Sequence, residues 1–386
     1  MQSKPQRLLS LDVMRGITIA GMIMVNNPAN WKYVYAPLRH AEWDGITPTD
    51  LVFPFFLFIM GVSTYISLKK FNFEPRKDTI IKIIRRTIVI ILCGLALHWL
   101  SLSFKTWHSL ASESLTNDVR FFKAITNFGY LRFSGILQRL AVTYCITALI
   151  AVFVKHRYIV HIIVATLIGY FLLLVFGNGF ENSEQNIICI VDRALFGENH
   201  LLQGAFVDTG GPLGAIATAC NVLIGFLCAR MIMDESDNTK RMQSLFIVGA
   251  ILSFAGMLLS YGCPINKITW TPTYVLFTCG LAATLLSLLI WIIDVKGHKR
   301  WSVFFESFGV NPLFIYVFAG VLATLLNSIR FAFDGKQTNL INVFYTSVLQ
   351  PVFGNEFGSL VYALLFVGVC WIVGHYLYKR KIYIKI

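Results

Sequence analysis

Between Leu38 and Gly61 the chain reads LRHAEWDGITPTDLVFPFFLFIMG, which sets His40, Glu42, Trp43, Asp44 and Asp50 directly before an apolar run. Titratable groups at the edge of such a run are costly to keep there and point to function. A neutral imidazole at His40 can take a proton from an attacking group near neutral pH, or can itself attack an acyl donor. Trp43 offers a flat face that stacks on a sugar ring or anchors at an interface, and Asp44 and Asp50 can hold a cation. Asn26 and Asn27 precede Pro28; an amide there can orient an imidazole or donate to a developing oxyanion, and equally can cap a helix.

Asp12 and Arg15 are three residues apart and share a helical face, so an ion pair accounts for them. The functional alternative is that Arg15, with Arg85, Arg86 and Lys296, holds an anionic ligand, although snorkelling at a span end explains Arg85 and Arg86 as well. Three other segments carry polar groups beside apolar runs: LRFSGILQRLAVTY at 131–144, VDTGGPLG at 207–214 and PINKITWTPTY at 264–274. They supply Arg132, Gln138, Arg139, Asp208, Asn266, Lys267 and Trp270. Interfacial anchoring explains each alone; convergence on one cavity would need another reason.

The elements that must position these groups follow from composition. Hydrophobic residues make up 56% of the 386, charged residues 14%, and mean hydropathy is +0.65, which implies an all-α polytopic membrane protein. Apolar stretches near 20 residues fall at about 11–27, 50–68, 80–103, 135–154, 158–176, 210–229, 243–262, 272–293, 302–326 and 357–377. Ten spans are therefore expected, give or take one, since 340–353 is apolar enough to dip in. No linker and no internal repeat divides the chain, so 1–386 reads as a single transmembrane domain. Met1 to Gln6 is short and no cleavage site follows the first apolar run, so that span is expected to stay.

With the N-terminus inside, 22 of the 33 Lys and Arg residues, from Lys4 and Arg7 through Lys385, fall on the inner side. Both termini are then cytoplasmic and His40 faces out. The net charge of +13 comes from short clusters beside spans rather than from one soluble face, so membrane topology explains it and nucleic acid is not implied. Of the eight cysteines only Cys189 and Cys263 fall in outer segments, where a disulfide can be entertained; no CxxC pair suggests a metal. The outer loops, 28–49, 104–134, 177–209 and 327–356, are the long ones. Loop 177–209 is acidic and attracts a cationic substrate or is simply solvated.

The run HAEWDGITPTDLVFPFFLFIMG closely resembles the heparan-alpha-glucosaminide N-acetyltransferase family, membrane enzymes that acetylate a terminal glucosamine with acetyl-CoA. RLLSLDVMRG at 7–16, LRFSGILQRLAVTY at 131–144, VDRALFGENHL at 191–201, PINKITWTPTYV at 264–275, DVKG at 294–297 and YKRKIYIKI at 378–386 carry the resemblance along nearly the whole chain. It implies a transmembrane N-acetyltransferase with acetyl-CoA as co-substrate, no metal, and an amino-sugar acceptor; a homodimer fits it. The family's catalytic histidine falls on His40 and its partner asparagine on Asn26. Cofactor phosphates would then meet Arg15, Arg85, Arg86 and Lys296, Trp43 and Trp270 would stack on the sugar, and Asp44, Asp50 and Asp208 would attract its ammonium.

The chain departs from the family at Asp208-Thr209-Gly210-Gly211, where an acidic residue is missing from a DPEG segment, and at Asp44, often Asn. The lumenal enzyme's extra leading domain and span have no counterpart, which suggests a bacterial inner membrane with the site mouth facing the periplasm. Direct transfer with His40 as base and transfer through an acetyl-histidine both remain open. Other classes that suit ten spans are a transporter or flippase, and an O-acyltransferase acting on a cell-envelope glycan hydroxyl.

Overall fold

The computed structural model describes residues 8–333 and 335–384, residue 336 by its backbone alone. Lys4, Arg7 and Lys385, used above for orientation, lie outside these residues. The described chain is nearly all helical: α1 (Leu9–Asn26), α2 (Pro48–Lys69), α3 (Lys77–Ser109), α4 (Asn117–Ile125), α5 (Ile136–Phe153), α6 (Ile159–Phe176), α7 (Ile187–Phe196) and α8 (Pro212–Asp234) are followed by α9 (Asn238–Leu259) and α10 (Pro272–Leu289). Then come α11 (Ser302–Gly309), α12 (Pro312–Ser328), a hairpin of β1 (Arg330–Phe333) and β2 (Lys336–Asn339), α13 (Leu340–Phe344), α14 (Gln350–Phe353) and α15 (Asn355–Lys379).

Among the described residues eight helices are long and apolar enough to cross a membrane, so the protein is a multi-pass all-α membrane protein. The stretch expected at 80–103 lies inside the 33-residue α3, which is outside those eight. The stretch expected at 302–326 is not one straight span: α11 and α12 meet at 84°. Pro312 starts α12 without an N–H to continue the ladder, and Asn311 before it leaves helical geometry. The helical stretch Leu340–Phe353 is too short to cross.

The core has two clusters, one joining α2, α5, α8 and α10, the other joining α1, α12 and α15. α2 and α8 cross closely because both contribute glycine: a Cβ on Gly61 would meet the Val222 carbonyl at 2.0 Å, and one on Gly225 would meet that of Phe58 at 2.1 Å. Small residues let two backbones approach in this way where lipid offers no hydrophobic drive. α6 and α9 bury only 28% and 17% of their apolar windows, so their outward Leu, Ile and Phe form a lipid-facing belt. Cys189 and Cys263 are both free: each is buried among its own neighbours, Cys189 in α7 and Cys263 against the Thr273 hydroxyl. The disulfide considered between them is not formed.

Candidate functional site

The C-terminus of α1 and the N-termini of α2, α5, α8 and α10 come together at one end of the bundle around a cavity of about 350 Å³. His40 stands at its wall on the segment leading into α2. Its Nδ1 is 2.7 Å from Asp50 Oδ1, and Lys267 Nζ lies 2.8 Å from the same nitrogen and 3.1 Å from Asp50 Oδ1. The other Asp50 oxygen accepts from the backbone N–H groups of Ala41 and Thr47 and from the Thr47 hydroxyl. Asp50 is fully buried and fixed by the Lys267 ammonium and the Ala41 and Thr47 N–H groups, so it serves as an anchor for the imidazole.

Local sequence explains this anchor. Thr47 to Asp50 forms a capping box at the start of α2, with Pro48 at its first position. Pro54 inside α2 cannot donate to the Asp50 carbonyl four residues back, and the Tyr274 hydroxyl of α10 donates to it instead at 2.6 Å. Asp44 and Asn266 form an isolated antiparallel bridge reinforced by a 3.0 Å side-chain bond, and that bridge carries the neighbouring Lys267 over His40. Burial lowers the Lys267 ammonium below the ordinary lysine range, against the pull of Asp50.

Arg132, Arg139, Trp270 and Asn26 complete the polar part of the cavity wall. Arg132 holds Asp208 through two hydrogen bonds, and Ser134 and the Gly210 N–H hold it as well. Burial alone would raise the Asp208 carboxyl; these donors outweigh it and keep it below the usual carboxylate range. Trp270 is 1% exposed, sits at φ +57 and donates Nε1 to Asn221 at 2.9 Å. A non-glycine residue in that region is held there by its surroundings, here by the buried indole. The Arg139 guanidinium lies 4.9 Å over the same indole.

A second cavity of about 290 Å³ lies at the opposite end, lined by Arg15, Ser63, Arg86, Asn311 and Ile384 among others. Arg15 donates to Asp12, Ser63 and the Gly309 carbonyl, and the Arg86 guanidinium covers the Tyr144 ring at 4.7 Å. Asn311 clamps the C-terminal tail through both ends of its amide, to Ile382 and Ile384. Between the two cavities a narrow pocket of about 10 Å³ shares Met22, Phe53 and Ile136 with the first, and Phe56, Leu140 and Leu313 with the second. Three adjoining cavities thus run through the bundle between α1, α2, α5 and α12.

His40, Asn26 and Trp270 therefore share one cavity, and Arg15 and Arg86 share the other. Asp50 and Asp208 stand behind the first cavity as partners of its cations, and Asp44 is an exposed bridge residue. Trp43 turns away and donates to the Phe180 carbonyl at 2.9 Å. Arg85 and Lys296 are exposed and line neither cavity. Lys267, Arg132 and Arg139 were visible as polar residues beside apolar runs, but only their convergence gives them a place here. Among the described residues no group of three His, Cys, Asp or Glu side chains is arranged to hold a metal.

Residues 7–191 match the family described as heparan-alpha-glucosaminide N-acetyltransferase, catalytic. Two curated proteins, heparan-alpha-glucosaminide N-acetyltransferases of Mus musculus and Homo sapiens, are each 25% identical to the chain over 374 and 375 residues. Those alignments cover 82% of this chain and 54% and 53% of the relatives. The chain spans about half the length of the curated relatives it matches. The matched region contains Arg15, Asn26, His40, Asp50, Arg86, Arg132 and Arg139, whereas Lys267 and Trp270 lie beyond it.

Proposed function

We propose, from the membership of residues 7–191 in the heparan-alpha-glucosaminide N-acetyltransferase family, that this chain is a membrane acetyltransferase that moves the acetyl group of acetyl-CoA onto the amine of a glucosamine-type sugar across the bilayer. The observation that carries this reading is the row of three adjoining cavities, with His40 at one end and Arg15 and Arg86 at the other. Arg15 and Asn26 are separated by about 16 Å of α1, at 1.5 Å per residue. That suits an extended pantetheine arm, which holds a thioester well away from its anionic phosphates. The phosphates would stay with Arg15 and Arg86, while the acyl carbon would reach Asn26 and His40.

In this mechanism the Lys267 ammonium donates to Asp50 rather than to the ring, and Asp50 accepts the His40 Nδ1–H and leaves the Nε2 lone pair for the acceptor. His40 removes a proton from the acceptor ammonium. The freed amine attacks the thioester carbonyl, and Asn26 donates to the developing oxyanion. Collapse breaks the carbon–sulfur bond, the second amine proton goes to the thiolate, and the proton on His40 leaves to water. The products are an N-acetyl sugar, CoA thiol and one proton. Trp270 supplies a wall for the ring. Transfer is direct in this account, because both reactants occupy adjoining cavities.

On this reading the positive-inside bias puts Arg15 and Arg86 on the cytoplasmic side and His40 on the outer side, the membrane is the inner membrane of a bacterium with His40 toward the periplasm, and residues 1–386 act as one transmembrane domain. The test is acetylation of glucosamine by purified protein in proteoliposomes. Acetyl-CoA-dependent product that disappears in His40→Ala supports the reading. Substrate movement without acetyl-CoA would instead reveal a transporter, and acetylation of hydroxyl acceptors alone would reveal an O-acyltransferase. Release of CoA in one burst without acceptor would show the acetyl-histidine route.

A further inference from the structure

A fourth cavity, of about 250 Å³, adjoins the His40 chamber and plays no part in the path just described. It lies where α3 and α8 both pack on α5, and it shares Arg139 and Gly210 with the chamber. Its walls are almost wholly apolar: Ile91 and Leu95 of α3, Val142 of α5, Ala215 of α8, and Phe133 and Phe196. Val142 and Phe133 are each 37% exposed, so the cleft opens at the outer surface of the bundle rather than closing as core.

The inner end of this cleft is polar and incompletely satisfied. Arg139 is 3% exposed, and its Nε and Nη1 have no hydrogen-bond partner; Nη2 reaches only the Gly211 carbonyl, at 3.4 Å. Gln138 is 6% exposed, and neither end of its amide has a partner. A buried guanidinium with open donors is expensive unless something anionic meets it. The N-terminus of α5 begins beside it without a side-chain cap, and its dipole favours an anion, whereas that of α8 is already faced by the Asp192 carboxyl at Leu213. The nearby carboxyls do not fill the gap: Asp208 is held by Arg132, and Asp192 lies at Gly211, outside the cleft's lining.

We propose that this cleft binds an anionic lipid, with its phosphate on Arg139 and Gln138 and an acyl chain along Ile91, Leu95 and Val142. The apolar walls and lateral opening select a lipid over a free anion, and the unpaired guanidinium selects an anionic headgroup over a zwitterionic one. A lipid held there would border the reaction chamber through Gly210.

The test uses the full chain purified into nanodiscs of equal phosphatidylglycerol and phosphatidylcholine, with retained lipid read by native mass spectrometry after release into detergent. Phosphatidylglycerol should be retained about tenfold over phosphatidylcholine, a difference near 1.4 kcal/mol. Arg139→Gln should abolish the preference, and Val142→Trp, which fills the apolar cleft at its rim, should remove the bound lipid while the melting temperature stays near that of the parent protein. The Trp variant keeps the test alive should the Gln variant fail to fold. Equal retention of the two lipids, or retention unchanged in Val142→Trp, would overturn the proposal. So would displacement of phosphatidylglycerol by millimolar inorganic phosphate in a protein indifferent to Val142→Trp, since the site would then serve a small anion.

Discussion

In the proposed mechanism Asp50 and His40 divide the chemistry at residue scale: one fixes the ring, the other moves the proton. Replacing His40 with Ala should lower acetyl transfer about 10²- to 10⁴-fold, the usual contribution of a positioned general base. Asp50→Asn should cost a comparable factor in kcat with little change in acceptor KM, because the amide keeps the shape but stops favouring the Nδ1–H tautomer. Steady-state rates with glucosamine and acetyl-CoA separate the two parameters. The sequence marked His40 and Asn26 as polar groups beside apolar runs, with a helix cap as the other account of Asn26, and the structure sets both on the wall of one cavity. Spacing offers Asp50 as a group that holds a cation but does not show that the cation beside it is Lys267 or that its oxygens also face His40, Ala41 and Thr47. Lys267 is 227 residues from His40, and the Asp44–Asn266 bridge helps bring the two together.

At the scale of elements, hydropathy located the long helices because each needs its own apolar window whatever its neighbours do. It missed the break between α11 and α12, where apolar residues continue on both sides of Asn311-Pro312 and only that dipeptide signals a turn. The break matters for the path, since Asn311, Pro312 and Leu313 all line the second cavity. The neck between the cavities gives a direct test. Leu140 of α5 and Leu313 of α12 both border it, so Leu313→Trp should close it and lower acetyl transfer at least about tenfold. Acceptor KM should stay near the parent value because the His40 chamber is untouched. A rate unchanged in Leu313→Trp, with the variant folded by its melting curve, would mean that acetyl-CoA takes another route.

The whole molecule sets sidedness and pH response. Arg15 and Ile384 lie at the end opposite His40, and on the proposed orientation and reaction acetyl-CoA supplied to inside-out vesicles should support acetylation of a sugar sealed within, while acetyl-CoA supplied to right-side-out vesicles should not. Stability adds a second prediction through Asp192 on α7, which is fully buried and raised to about 7 by that burial. In the unfolded chain this carboxyl ionises near 3.8, so between pH 4 and 7 the folded state holds a proton that the unfolded state has lost. Stability therefore falls as pH rises across that window and levels off above it. Asp208 works in the opposite sense, because its depressed carboxyl loses its stabilising contribution as pH drops below the ordinary carboxylate range. Asp192→Asn should remove only the alkaline-side loss. Its melting temperature should exceed the parent's by about 5 °C at pH 8 and match it at pH 4, for a difference on the order of 3 kcal/mol. An equal gain at both pH values would assign the effect to packing at Gly211 rather than to charge.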